Sequence, residues 1–272
     1  MTDYRQIKYP ERIVCLTEET TEALYLMGEQ DRIVGISGYT VRPAHARKEK
    51  PKVSGFINAK IDKITDLKPD LVLAFSDMQA DIVKDLIKQG ISVHCFNQRS
   101  ISEIFQMIAT LGALIGRPDK SAKLIADLAA GVEEIKQKAA LLTERPKVYF
   151  EEWNDPIITG IGWISELIQI AGGNDCYPEF AKESLAKNRI VANNQDVVAR
   201  QPDIIIGSWC GKRFVPEKVK ARENWQTISA VQNNELHEIK SADILQPGPA
   251  CLTDGLQQIY QIIENWHQKQ SN

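Results

Sequence analysis

Four histidines are the first residues to weigh for acid–base work or metal ligation: His45, His94, His237 and His267. His45 falls in a Gly- and Pro-rich loop, while His94 and His237 fall in strand-like runs and His267 lies near the C-terminus. No His-x-x-x-His, Gly-x-Ser-x-Gly or phosphate-loop pattern occurs. Glu151-Glu152 is a carboxylate pair, but strand alternation sends neighbours to opposite faces, which argues against a shared acid–base role. Gly160-x-Gly162 ahead of a helix is too short for a dinucleotide fingerprint, although its amides suit an anionic group. The five cysteines (15, 95, 176, 210 and 251) are odd in number and scattered. That spacing excludes a disulfide framework or zinc knuckle and makes Cys15 and Cys95 small core hydrophobes. No catalytic residue, metal ligand or catalytic cofactor is assigned. If the chain is an enzyme, His45, Glu152 and Asp155 are its candidates.

The aromatics form a clearer pattern. The segment after the second strand, "SGYTVRPAHARKEKPKVSGFINAK", carries Tyr39, Arg42, His45 and Phe56. "EEWNDPIITGIGW" carries Trp153, Asn154, Asp155 and Trp163, and "GSWCGKRFVP" carries Trp209, Lys212, Arg213 and Phe214. "SADILQPGPACLTDG" carries Gln246, Pro247, Gly248 and Pro249. Three of the five tryptophans fall in such loops. A loop aromatic commonly caps a core edge; several on converging loops suit a large, flat, partly apolar ligand.

The elements that must hold these loops repeat along the chain. "KITDLKPDLVLAF" (63–75) and "DVVARQPDIIIGS" (196–208) each run from a helical pattern through Pro-Asp into branched apolar residues. Such unalternating runs read as strands buried on both faces of a parallel sheet. "RIVCL" and "KVYFEE" begin each half, and "ISVHCF" and "LHEI" lie near each end. The alternation predicts an α/β fold: two βαβ lobes with parallel sheets. Between them, apolar residues at Ile125, Leu128, Val132, Ile135, Ala139 and Leu142 predict one helix over about 118–143, roughly 40 Å long. The expected organisation is an N-terminal lobe at 1–116, a linking helix at 117–145 and a C-terminal lobe at 146–272. Ligand would enter a cleft facing the carboxyl ends of both sheets.

Composition bounds the alternatives. A net charge of −3, with no Lys/Arg cluster among aromatics, argues against nucleic acid. No apolar run reaches the roughly 20 residues of a membrane span. The N-terminal "MTDYRQIKYPERIVCL" lacks an apolar signal-peptide region, so the sequence as written reads as cytoplasmic.

The stretches "RIVCLTEETTEALYLMG", "RIVGISGYTVRPAHA", "KVSGFINAKIDKITDLKPDLVLAF", "WISELIQIAGGND", "DVVARQPDIII" and "QPGPACLTDGL" resemble the substrate-binding proteins of ABC importers that have two lobes joined by one helix. Within that group the chain is similar to the cobalamin (vitamin B12)-binding branch. Ferric-siderophore and haem binders share much of the pattern. The resemblance implies non-catalytic binding of cobalamin or a related corrinoid, a monomer, and a periplasmic setting. It places Tyr39, Phe56, Trp153, Trp163, Trp209 and the Gln246–Pro249 loop against the ligand. It also implies an ABC permease partner docked through one carboxylate per lobe, at Asp62 and at Gln195. A neutral Gln cannot make that ion pair, which leaves the adjacent Asp196 for the second lobe. The alternatives are a siderophore or haem binder and a cytoplasmic tetrapyrrole-handling enzyme or chaperone.

Overall fold

The computed structural model describes residues 7–270, which divide into two compact units. Unit 1 takes the chain up to Gln98 together with Ser102–Asp127; unit 2 takes Arg99–Ile101 and everything from Leu128. One helix, Pro118–Ala139, runs unbroken from the first into the second. It ends about a turn before the position its apolar spacing predicts.

Unit 1 is built on a wholly parallel sheet in the order β3-β2-β1-β4-β5. Its strands are β1 (Ile13–Cys15), β2 (Ile33–Ser37), β3 (Lys52–Ser54), β4 (Leu71–Phe75) and β5 (Val93–Phe96). The β4 run Leu-Val-Leu-Ala-Phe is buried throughout, as a strand covered on both faces must be. Val14, Leu16, Ile64, Val72, Ala74 and Leu86 pack one layer of this core.

Unit 2 repeats the central part. Its strands are β6 (Lys147–Asn154), β7 (Ile157–Thr159), β8 (Asn174–Asp175), β9 (Ile204–Gly207) and β10 (Leu236–Glu238). They are ordered β10-β9-β6-β7, with β8 also on β6. β9 lies between β6 and β10 as β4 lies between β1 and β5, so the two Pro-Asp echoes hold equivalent places.

The echo has a physical cause. The Asp70 carboxylate accepts the backbone N–H groups of Glu11 (2.8 Å) and Arg12 (2.9 Å), just ahead of β1. The Asp203 carboxylate accepts that of Lys147 at 2.8 Å, at the start of β6. Asp70 N–H and Asp203 N–H return bonds to the carbonyls of Arg12 and Lys147, both at 2.9 Å. The same two basic side chains reach the carbonyl ends of the preceding helices: Arg12 at Leu67 and Lys68, Lys147 at Arg200. Cations at helix C-termini are favourable there. Lys68 and Gln201, both at φ 47°, stop each helix in the left-handed region before the proline. That costs a non-glycine residue about 1 kcal/mol.

Two expectations need correction. The second sheet is not wholly parallel: β6 runs on to Asn154, turns at Asp155-Pro156 and returns antiparallel as β7. Ile157 and Thr159 are buried on one face while Ile158 is only half-buried, the alternation of a strand with one covered face. Cys95 is exposed rather than core, because β5 is an edge strand.

Candidate functional site

In unit 1 the parallel strands bring the loops after β1, β2, β3 and β4 to one edge of the sheet. The loop after β2 carries Tyr39, which is 63% exposed. Its backbone is firmly held. Glu18, in the first turn of the Glu18–Leu26 helix, accepts the N–H groups of Val41 and Arg42 at 2.8 and 2.9 Å. The Arg42 side chain pairs with Glu22 at 2.8 Å, and Arg47 donates to the carbonyls of Gly38 and Thr40. The loop is tied to its neighbour by Gly38 N–H, which donates to the Ser54 carbonyl at 2.7 Å, two residues before half-buried Phe56.

A single buried amide secures the other side. Gln79 donates to the carbonyls of Leu16 (3.3 Å) and Phe56 (2.8 Å), and its Oε1 accepts the Phe75 N–H at 3.0 Å. It thereby joins the ends of β1 and β4 to the Phe56 loop. The sequence reading missed Gln79 and Glu18. Nothing local marks Gln79, whereas the acidic start of a helix at Glu18-Glu19 is a readable signal.

Both acids are buried, which pushes the Glu18 and Glu19 carboxyls up to about 7. The Val41 and Arg42 amides oppose the shift at Glu18, as the Thr17 hydroxyl does at Glu19. One Glu19 oxygen accepts from Thr17 at 2.6 Å.

In unit 2 the equivalent edge is organised by Glu151, which has no exposed surface. Its carboxylate takes both Arg222 terminal nitrogens (2.6 and 2.8 Å), the Trp209 indole N–H (2.9 Å) and the Tyr149 hydroxyl (2.9 Å). Trp209 is therefore a core side chain at 3% exposed, edge-on to Phe214 at 5.0 Å. Trp163, 4% exposed, donates to the Ile244 carbonyl at 3.0 Å and so lies beside the Gln246–Gly248 segment. There Pro247 and Gly248 are buried and Gln246 is half-buried. Trp163 and Trp209, expected to face ligand, are thus covered; Trp153 stays half-exposed on the β6–β7 hairpin. Its indole donates to the Asp155 carbonyl at 2.8 Å, and the Lys212 ammonium sits 3.7 Å from its ring centroid.

His45 is exposed and packs edge-on to Tyr25 at 5.2 Å, Glu152 is paired with Arg189 at 2.6 Å, and Asp155 is exposed at the hairpin turn. Among the described residues no group of three or more His, Cys, Asp or Glu is placed to hold a metal. Of the docking carboxylates, Asp62 is exposed in the first turn of the Ile61–Asp66 helix. Asp196 is half-buried and bonded to Arg200 Nε at 2.9 Å. Gln195 bonds Asn224 and the Glu223 carbonyl.

A family model described as periplasmic binding protein matches residues 13–242. An uncharacterized ABC transporter substrate-binding lipoprotein of Bacillus subtilis is 28% identical over 267 residues, covering 94% of this chain and 81% of its own. The vitamin B12-binding protein of Vibrio campbellii is 27% identical, covering 95% and 91%. The apo structure of a periplasmic haem-binding protein from Roseiflexus sp. RS-1 superposes with a TM-score of 0.78 at 20% identity, over 93% of this chain and 99% of that one. This last likeness is one of fold.

Proposed function

The chain belongs to the periplasmic binding protein family, and from that premise we propose that it binds a corrinoid, cobalamin or a close relation, without altering it. In this reading it is the ligand-carrying component of an ABC-type importer. Tyr39, Phe56, Trp153 and Gln246 contact the ligand, while Trp163, Trp209, Pro247 and Gly248 form the packed layer beneath Trp153 and Gln246. Asp62 and Asp196 meet the permease, and Asp196 must exchange Arg200 for a permease cation to do so.

The observation that carries the reading is Tyr39. Tyr39 stands 63% exposed on a loop in which the Val41 and Arg42 amides, the Gly38 and Thr40 carbonyls and the Arg42 side chain are bonded down. Exposed apolar area on an ordered support is what a preorganised binding surface needs, since little ordering cost remains at association. Relatives named as vitamin B12-binding proteins, aligned over nearly the whole chain, support the ligand class. Burial of a broad corrin face at about 25 cal/mol per Å² supplies affinity with no titrating residue.

Titration of the purified protein with cyanocobalamin tests this. The ligand's visible spectrum shifts and tryptophan fluorescence falls on binding. A protein that leaves both unchanged is not a corrinoid binder.

A further inference from the structure

The loop after β9 contains two cations with no carboxylate partner. Lys212 and Arg213 are both exposed, and neither forms an ion pair among the described residues. Three of the nearby acids are otherwise engaged. Glu151 holds Arg222, Glu152 holds Arg189, and Glu238 accepts the Phe214 N–H at 2.9 Å. Asp155, on the turn beside Trp153, makes no ion pair and engages the indole through its carbonyl.

The Lys212 ammonium lies instead over aromatic faces, 3.7 Å from the centroid of Trp153 and 5.7 Å from that of Trp209. The ring quadrupoles hold the cation in place without neutralising it. Glu151 in turn fixes Trp209 by accepting its indole N–H. A localised, uncompensated positive charge on an aromatic shelf is thus built into the end of β9.

We propose that Trp153, Lys212 and Arg213 form a subsite for an acidic group on the ligand, so that the preferred ligand is a planar tetrapyrrole-type chelate carrying a free carboxylate or phosphate. This rests on the corrinoid reading and narrows it. The acid group pairs with the ammonium in a charge-assisted hydrogen bond, and exposed Arg213, next in the chain, supplies a second cation whose fork suits a carboxylate or phosphate. Lys212 keeps its indole contact in the complex, because the aromatic face and the acid occupy different sides of the ammonium. A fully amidated ring gains neither contact, so the subsite discriminates between ligands that share one macrocycle.

The test uses two such ligands with the full chain: dicyano-cobyrinic acid, whose side chains are free carboxylates, and dicyano-cobinamide, whose side chains are amides and which lacks the nucleotide phosphate. Both are titrated at low and high salt by visible absorbance. The acid is expected to bind at least about tenfold more tightly at low salt, with the gap narrowing as salt screens the pairing. Lys212→Gln and Arg213→Gln each shrink the gap, and Lys212→Arg restores most of it. Circular dichroism of these exposed-site variants verifies folding. Equal binding of the two ligands, or a gap untouched by Lys212→Gln and Arg213→Gln, overturns the subsite and leaves the corrinoid reading standing. If neither ligand perturbs the spectrum, the corrinoid reading fails and the subsite falls with it.

Discussion

Arg222 meets both carboxylate oxygens of Glu151, at 2.6 and 2.8 Å, beneath a shell that leaves the acid no exposed surface. The guanidinium also lies over the Trp225 ring, 4.4 Å from its centroid, and Trp225 packs edge-on to Tyr149. A charge so deeply buried is tolerable only while paired. Arg222→Ala leaves Glu151 unpaired and is expected to destabilise the protein by about 3–5 kcal/mol, measured by urea denaturation. Glu151→Gln and Arg222→Met together should recover much of that loss. A single Arg222→Ala change costing under about 1 kcal/mol would mean that water reaches the acid.

Stability should depend on pH through Glu18 and Glu19. Burial raises both carboxyls to about 7 in the folded protein, from an ordinary value near 4.5. The folded state therefore binds their protons more tightly than the unfolded chain does. Their contribution is fully present below about pH 4.5 and is lost as pH rises through about 7. Glu19→Gln, which cannot ionise, should stabilise the protein at pH 8 relative to pH 5 by up to about 3 kcal/mol compared with the parent. Parallel pH profiles for variant and parent would remove Glu19 from this role.

The Pro-Asp echo makes a paired prediction. Asp70→Ala frees two backbone N–H groups ahead of β1, and Asp203→Ala frees one at the start of β6. Hydrogen bonds to charged groups contribute about 1.5–3 kcal/mol each when shielded, and less at exposed positions such as these. Asp70→Ala should therefore cost more than Asp203→Ala, each on the order of 1–2 kcal/mol by chemical denaturation. Amide hydrogen exchange should quicken at Arg12 in the first variant and at Lys147 in the second.

Ligand affinity should track the exposed aromatics. Tyr39→Ala, Phe56→Ala and Trp153→Ala are each expected to weaken cyanocobalamin by about 1–3 kcal/mol in a fluorescence titration. Each variant should keep the parent's melting temperature to within a few degrees, since none of these rings is a core side chain. A ring whose removal leaves affinity unchanged lies outside the site.

Gln79→Leu tests the support beneath Phe56. It removes the Gln79 hydrogen bonds to the Phe75 N–H and to the carbonyls of Leu16 and Phe56. Stability should fall by about 2–4 kcal/mol. Ligand affinity should fall too, as the Phe56 loop loosens; unaltered affinity in a folded variant would separate the loop's anchoring from binding.

What the chain determined by itself is the part set by short-range pattern. Branched apolar runs after Pro-Asp make β4 and β9, three-and-four spacing makes the Pro118–Ala139 helix, and strand-to-helix alternation implies two βαβ units. These follow from periodicity and backbone restriction, which act over a few residues. Tyr39, Phe56 and Trp209 lie in loops after strands, as the sequence predicts, whereas Trp153 lies inside β6 and Trp163 in the Gly162–Ile170 helix, so for these two the loop expectation is corrected. Whether an indole faces solvent was not legible. Trp209 is buried because Glu151, 58 positions earlier, accepts its N–H, and Trp163 because a carbonyl 81 positions later does. The β6–β7 hairpin, the Gln79 brace and the unpaired charge of Lys212 likewise depend on which distant groups become neighbours. Local sequence sets the direction of a backbone, but the partner that satisfies a polar atom is decided only when the remote segments have packed.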